Sequence, residues 1–475
     1  MEGIIFGVML LSLVIWIGLL TLRGQFWRTD QRLEVGETML ESSPTVCAVI
    51  PARNEADLLP VSLRSLLRQD YHGSFTVFLV DDHSTDGTPD IAEGVACALN
   101  KSQQLQIISA QTLPPGWTGK LWAMEQGIQA VETRNVASLQ KPDYFLLTDA
   151  DIEHDIANLR RLVAKAEQDN LDLVSVMVRL RCKSFWEQLL IPAFVFFFQK
   201  LYPFRWVNDP NNTTAAAAGG CILIRREALN RIGGIKAVRH ALIDDCALAS
   251  AVKRKRGGVG EGGMGRQGDL GTRRLGDKET WRQGDLETRR LGDNCFSPFG
   301  RASRLNAGNP RTALDSPSPP LSIPPSPYPP LPHSSTPSTG RIWLGLSTKT
   351  RSLRPYPSLA TIWDMVARSA YTQLNYSPLL LILTLVGMIL IYMVPPLGII
   401  WGALMGNWGI VFTAFLTWLL MSLAYLPTIR FYKCPVWLVF CLSAIAFLYT
   451  LMTLDSALRH WQGRGGAWKG RVYPG

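Results

Sequence analysis

Apolar positions in this chain form short β-type runs in its first third and long unbroken runs towards its two ends. Thr45-Val46-Cys47-Ala48-Val49-Ile50 is rich in β-formers and stops at Pro51-Ala52-Arg53-Asn54-Glu55. Leu58, Leu59, Ser62, Leu63, Leu66 and Leu67 then recur at helical spacing. Phe75-Thr76-Val77-Phe78-Leu79-Val80 repeats the strand signal and ends in Asp81-Asp82-His83-Ser84-Thr85-Asp86-Gly87-Thr88. Tyr144-Phe145-Leu146-Leu147-Thr148 does so again and ends in Asp149-Ala150-Asp151. Strands alternating with helices predict a parallel α/β sheet, whose ligands bind outside the carboxyl ends of the strands. All three polar clusters fall at such ends.

The long runs predict membrane helices. Ile4 to Leu20 is almost wholly apolar, follows Glu2, and precedes Arg23, Arg28 and Arg32. It has no basic leader and no small-x-small cleavage site, so residues 1–24 are expected to be an anchor, with the chain after it in the cytoplasm. Apolar segments near 379–404, 408–427 and 436–454 predict further spans within 378–456. The first contains Pro395-Pro396 and reads as one kinked span or a span plus a re-entrant piece. Arg430 and Lys433 suggest a cytoplasmic loop, and the basic tail 457–475 also reads as cytoplasmic. Both cannot hold if 436–454 crosses fully. Leu189 to Phe204 is apolar and aromatic but holds Pro192, Lys200 and Pro203, and reads equally as an interfacial segment or a buried helix.

Residues 258–340 break the pattern. Arg266 to Asp277 recurs at 282–293 with one change, Glu287 standing for Gly271, and a Pro/Ser run from Ser316 to Thr339 follows. Neither part has apolar residues enough for a core, so a disordered insertion is expected. A catalytic domain over 42–257, its end and an interfacial helix over 341–377, then spans, complete the expected organisation. Long surface loops cost little closure entropy, so the domain should fold with the insertion in place.

Charge and composition narrow the chemistry. The net charge of +10 suits anionic headgroups, and no basic–aromatic cluster points to nucleic acid. Eight cysteines include no C-x-x-C and six histidines no zinc spacing, so neither a disulfide framework nor zinc is expected. No G-x-S-x-G elbow is present. Two carboxylates one residue apart at a strand end suit a hard divalent ion that also holds substrate phosphates. Taken alone, the same pair reads as a solvated strand end.

The run P-A-R-N-E, then V-D-D-H-S-T-D-G-T, then T-D-A-D, then Ile243-Asp244-Asp245 resembles family 2 glycosyltransferases with the GT-A fold, a Rossmann-like mixed sheet. Gly116-Trp117-Thr118-Gly119-Lys120-Leu121-Trp122-Ala123, Ala241 to Ala249 and Ser352-Leu353-Arg354-Pro355-Tyr356 look like the hopene-associated members found in bacteria. The resemblance covers about residues 1–257 and 341–475. It implies a nucleotide-sugar donor, usually a UDP-sugar, a Mg²⁺ or Mn²⁺ ion, and inversion at the anomeric carbon. It gives Asp149 contacts to donor and metal and Asp151 the metal-ligand role. It places Pro51, Ala52, Arg53 and Glu55 at the nucleotide, with Asp81 or Asp82 accepting from the base. Asp245 matches the general base of the family's Glu-Asp pair, and Asp244 stands where glutamate is usual.

Lys120 reads either as a phosphate counter-charge or as a solvated surface lysine. Ala215 to Ala218 and Gly219-Gly220 read as a small-residue segment beside the donor sugar or as close helix–sheet packing. The Q-x-x-R-W of processive members is missing from Trp363 to Leu374, which argues against a polymer-extruding synthase and for transfer of one sugar to a lipid-like acceptor. The hopene-associated resemblance implies a hopanoid as that acceptor and the bacterial inner membrane as the location. Arg354 and Arg368 read as interfacial arginines, or as facing the diphosphate. Two other readings stay open: a catalytically impaired relative acting as a membrane scaffold, and a nucleotidyltransferase on a similar fold.

Overall fold

A computed structural model describes residues 2–34, 43–133, 141–254, 340–464, 467–468 and 471–472. An eight-stranded sheet organises the chain. Its strands are β1 (Val46–Ala52), β2 (Phe75–Asp81), β3 (Leu105–Ser109), β4 (Tyr144–Thr148), β5 (Ile152–Glu153), β6 (Leu173–Arg179), β7 (Cys221–Arg225) and β8 (Ile342–Ser352). The order is β3-β2-β1-β4-β7-β6-β8-β5. The first four strands are parallel, as their spacing predicts. β7 runs antiparallel to both β4 and β6, which makes the sheet mixed. β8 is parallel to β6 and pairs antiparallel with β5.

Helices cover both faces of the sheet, so its central strands read as continuous apolar runs. All seven residues of β1 are buried. Alternate side chains enter opposite cores. Cys47 and Val49 join the cluster under the helix Gly119–Thr133, with Leu121, Ala123, Met124 and Ile128. Val46, Ala48, Ile50 and Ala52 join the cluster under Leu59–Leu67 and Asn158–Gln168. β1 continues through Pro51 to Ala52, two residues beyond the predicted run. The β4 ladder stops at Val49–Leu147, so the proline lies where β1 is paired on one side only, the position a residue without an N–H tolerates.

β8 enters the sheet just after the 258–340 segment. Residues 258–339 of that segment, with the repeat and the Pro/Ser run, lie outside the described residues, while Gly340 is described and buried. Leu33 N–H donates to the Leu346 carbonyl at 3.0 Å, so the chain after the first helix is tied to β8.

Among the described residues four helices are long and apolar enough to cross a membrane: Glu2–Leu22, Pro378–Leu404, Trp408–Tyr432 and Val436–Trp461. Pro378–Leu404 is continuous, with a π turn at Ile389–Met393 just before Pro395-Pro396. Pro395 has no N–H to give the carbonyls one turn back. The first helix supplies the donors instead: Ser12 Oγ to the Leu390 carbonyl and Trp16 Nε1 to that of Ile391, both at 2.9 Å. The Leu189–Phe204 stretch is mostly the helix Phe185–Leu201, and of its two readings the structure gives the packed one. Ile191 and Val195 join the sheet core, while Leu190, Ala193 and Phe196 join the core of the apolar helices.

Candidate active site

Because β2, β1 and β4 are neighbours and parallel, their carboxyl ends bring the three polar clusters side by side. The residues expected at the nucleotide lie at the ends of β1 and β2 and in the loops that follow. Ala52 pairs with Asp81 in the ladder. The Asp81 carboxylate accepts the Ser84 N–H at 3.2 Å. Asp82 is 2% exposed and faces Arg53, whose Nη1 lies 2.6 Å from its carbonyl and 3.4 Å from its carboxylate. Glu55 is buried at the start of the following loop.

Lys120 lies in the first turn of its helix and is not a solvated surface residue. Its Nζ is 2.9 Å from Asp149 and 3.6 Å from Asp244, and its side chain is 19% exposed. Burial alone would lower its pKa, but Asp149 and then Asp244 outweigh that and hold it above the ordinary lysine range. Asp244 and Asp245 open the helix Asp244–Lys253, where acids also suit the helix dipole. Asp245 Oδ2 accepts the Gly219 N–H at 2.8 Å and Oδ1 the Cys246 N–H at 2.7 Å. Burial, then the charge of Asp244, raises its pKa to about 6, with Lys120 and the two N–H donors opposing.

The two glycines divide the alternatives raised for them. A Cβ on Gly219 would lie 3.3 Å from both Asp245 Oδ2 and Lys120 Nζ, so this backbone belongs to the site. A Cβ on Gly220 would meet Val178 and Ile152, so it serves packing.

Asp151 is held from the far edge of the sheet. β5 and β8 pair Ile152 with Ser352, and the Leu353 N–H donates to the Asp151 carbonyl at 2.8 Å. That register sets Ser352 Oγ 2.9 Å and Arg354 Nε 3.2 Å from Asp151 Oδ2. Arg354 Nη2 reaches Glu55 Oε1 at 2.6 Å. Arg354 therefore bridges two buried carboxylates, and the interfacial reading is corrected. The guanidinium fork matches this task. Arg368 is exposed. Burial, then Asp149, raises the Asp151 pKa, against Arg354 and Ser352.

His154 has no signal in the sequence, yet it braces the Asp149–Asp151 turn. Its ring nitrogens lie 3.0 Å from Thr148 Oγ1 and 3.0 Å from Asn158 Nδ2. Burial lowers its pKa to about 4, so it is neutral at pH 7.

Five carboxylates (Glu55, Asp149, Asp151, Asp244 and Asp245) thus meet two cations, Lys120 and Arg354, an excess of negative charge that suits a divalent ion. Among the described residues no group of three or more His, Cys, Asp or Glu side chains could hold a metal by itself. Two carboxylates completed by substrate phosphates is the ordinary arrangement for Mg²⁺, and Asp149 with Asp151 fits it.

Residues 47–233 match the family described as Glycosyl transferase family 2. The mixed α/β sheet that carries this segment fits the GT-A fold. No curated protein matches the sequence. Solved structures similar to the chain include the mannosyltransferase PcManGT of Pyrobaculum calidifontis, in complex with GDP-Man and Mn²⁺. It is 20% identical over 53% of this chain and 61% of its own, with a TM-score of 0.34. TarS of S. aureus is 18% identical over 44% of this chain and 33% of its own, with a TM-score of 0.31. Mannosyl-3-phosphoglycerate synthase of Rubrobacter xylanophilus is 20% identical over 44% and 64%, with a TM-score of 0.27. This chain therefore spans less than two thirds of the length of each.

Proposed function

We propose that this protein is a membrane-bound, inverting glycosyltransferase. It moves one sugar from a nucleoside-diphosphate sugar, a UDP-sugar in the first instance, to a hydroxyl of a lipid acceptor. The hopene-associated resemblance makes a hopanoid the first acceptor to test. The catalytic domain faces the cytoplasm, where nucleotide sugars are made.

The observation that carries this reading is Asp245. A carboxylate with its pKa raised to about 6 is a better base than an exposed one, yet is ionised at pH 7. The backbone N–H of Gly219 fixes its aim. It takes the proton of the acceptor hydroxyl as that oxygen bonds to the anomeric carbon. The bond from that carbon to the diphosphate breaks, and the nucleoside diphosphate leaves. Lys120, released in part from Asp149, balances charge on the leaving phosphate oxygens. Arg53, Glu55, Asp81 and Asp82 line the nucleotide, with Pro51 and Ala52 forming its floor. Asp149 and Asp151 would hold Mg²⁺ or Mn²⁺, which when bound neutralises the leaving diphosphate.

The test supplies purified protein in detergent with radiolabelled UDP- and GDP-sugars, Mn²⁺ or Mg²⁺, and bacterial lipid extract containing hopanoids. Labelled lipid with release of nucleoside diphosphate is expected. Release of pyrophosphate would mean nucleotidyl transfer instead, and donor binding without turnover would mean a binding module.

A further inference from the structure

Length and composition would let all four apolar helices cross a bilayer, but their contacts fix a different path for the last one. The first helix gives the axis. Glu2 accepts from Asn407 Nδ2 at 3.2 Å, in the turn between the second and third helices. Met9 packs with Ile410 and Ala414, and Trp16 bonds the Ile391 carbonyl. At the other end, Arg23 Nε donates to the Lys200 carbonyl at 3.2 Å, on the helix that joins the sheet core. Three antiparallel helices therefore run between a Glu2/Asn407 end and a catalytic-domain end.

The fourth segment starts at the catalytic-domain end. Arg179, the last residue of β6, donates to the Tyr432 carbonyl at 2.8 Å, and Cys434 Sγ lies 3.4 Å from Cys182 Sγ. The 3₁₀ stretch Val436–Cys441 then runs back along the third helix until Phe440 meets Trp418, ring centroids 5.2 Å apart. There the chain turns, and the helix Leu442–Trp461 returns. Tyr449 donates to the Leu190 carbonyl at 3.0 Å. Asp455 accepts from Trp363 Nε1 and Arg459 pairs with Asp364, both at 2.7 Å. His460 stacks on Tyr376 at 4.4 Å. Each of these partners precedes the helix that begins at Pro378. A crossing helix would end beside Glu2 and Asn407; this one ends on Tyr376.

We propose that Val436–Trp461 is a re-entrant element, sunk in the leaflet beside the catalytic domain, and that the C-terminal tail lies on the same side as that domain. Its partner is lipid. Phe440, Phe447, Leu454 and Leu458 are exposed along it, continuing the exposed apolar rows of the three crossing helices. Trp437 and Trp461, at its entry and exit, are each more than half exposed, which suits the preference of tryptophan for the headgroup boundary. Three crossings also place Arg430, Lys433, Arg459 and Arg464 on one side with the catalytic domain, removing the conflict between the two basic segments.

The test uses full-length protein with three epitope tags, at the N-terminus, within residues 258–339, and at the C-terminus. Antibody access is read in sealed right-side-out and inverted vesicles. The internal and C-terminal tags should share a side, and the N-terminal tag should be opposite. A C-terminal tag on the N-terminal tag's side would mean a fourth crossing and overturn the proposal. All three tags on one side would overturn it as well, since the first helix would then not cross. None of these outcomes depends on enzyme activity, so the glycosyltransferase reading stands or falls separately.

Discussion

Asp245→Asn should make the protein more stable while disabling it. Burial and Asp244 raise the Asp245 pKa from 3.8 to about 6, so ionising this group costs more in the folded chain than in the unfolded one. A carboxyl raised on folding stabilises below the unfolded pKa, and that stability is lost as pH climbs through the folded value. The shift of about two units corresponds to about 3 kcal/mol, less whatever Asp244 takes up by titrating with it. Asparagine keeps an oxygen for the Gly219 N–H but carries no charge. The difference in melting temperature, variant minus wild type, should be near zero at pH 4. It should rise through pH 5–6 and level off above pH 7 at about 5–10 °C. Taking the difference matters because His154 gives both proteins an opposite pH dependence over the same range. Activity should fall about 10²–10⁴-fold, the usual worth of a general base. A variant less stable than wild type at pH 8, or a flat difference across pH, would refute the electrostatic account of this residue.

His154 is buried and held near pKa 4, so its contribution to stability should fall by about 3 kcal/mol as pH drops from about 6.5 to 4, against the gain from Asp245 over the same range. The melting temperature of His154→Gln minus that of wild type should therefore rise as pH falls through this range, and a flat difference would contradict the burial of a neutral imidazole. Lys120→Met leaves Asp149, Asp244 and Asp245 without their shared cation. The acid limb of its pH–rate profile should move above the wild-type value near 6, and turnover should drop at least tenfold. Arg354→Met frees Asp151 and Glu55 from the guanidinium they share. Mn²⁺ titrated without nucleotide and followed by electron paramagnetic resonance should bind more tightly than to wild type, because Asp151 no longer has a competing cation. Unchanged Mn²⁺ binding would mean that Arg354 does not guard that carboxylate.

The acids at the ends of β1, β2 and β4 were legible because each interrupts an apolar run, and because parallel neighbours must expose those ends together. Their internal partners were not. Lys120 stayed open because Asp244, which helps to hold it, is distant in sequence and reaches it only through the packing of two helices. Arg354 read as interfacial because the β5–β8 register that aims it at Asp151 joins strands on either side of a long segment without core pattern. His154 follows no periodicity, and its role depends on Thr148 and Asn158 closing around it. Strand β1 was cut short at Pro51 because sequence does not reveal where the β4 ladder stops. Hydropathy gave the length of the last apolar helix but not its path, which its contacts to Trp363, Asp364 and Tyr376 define.

The most direct test of the account compares wild type and Asp245→Asn with a donor of known anomeric configuration, Mn²⁺ and lipid extract. The labelled lipid is isolated and its sugar linkage read by NMR. The expected result is a wild-type product with inverted anomeric configuration and at least a hundredfold less product from the variant. Retained configuration, or equal product from both proteins, would contradict a single displacement with Asp245 as its base.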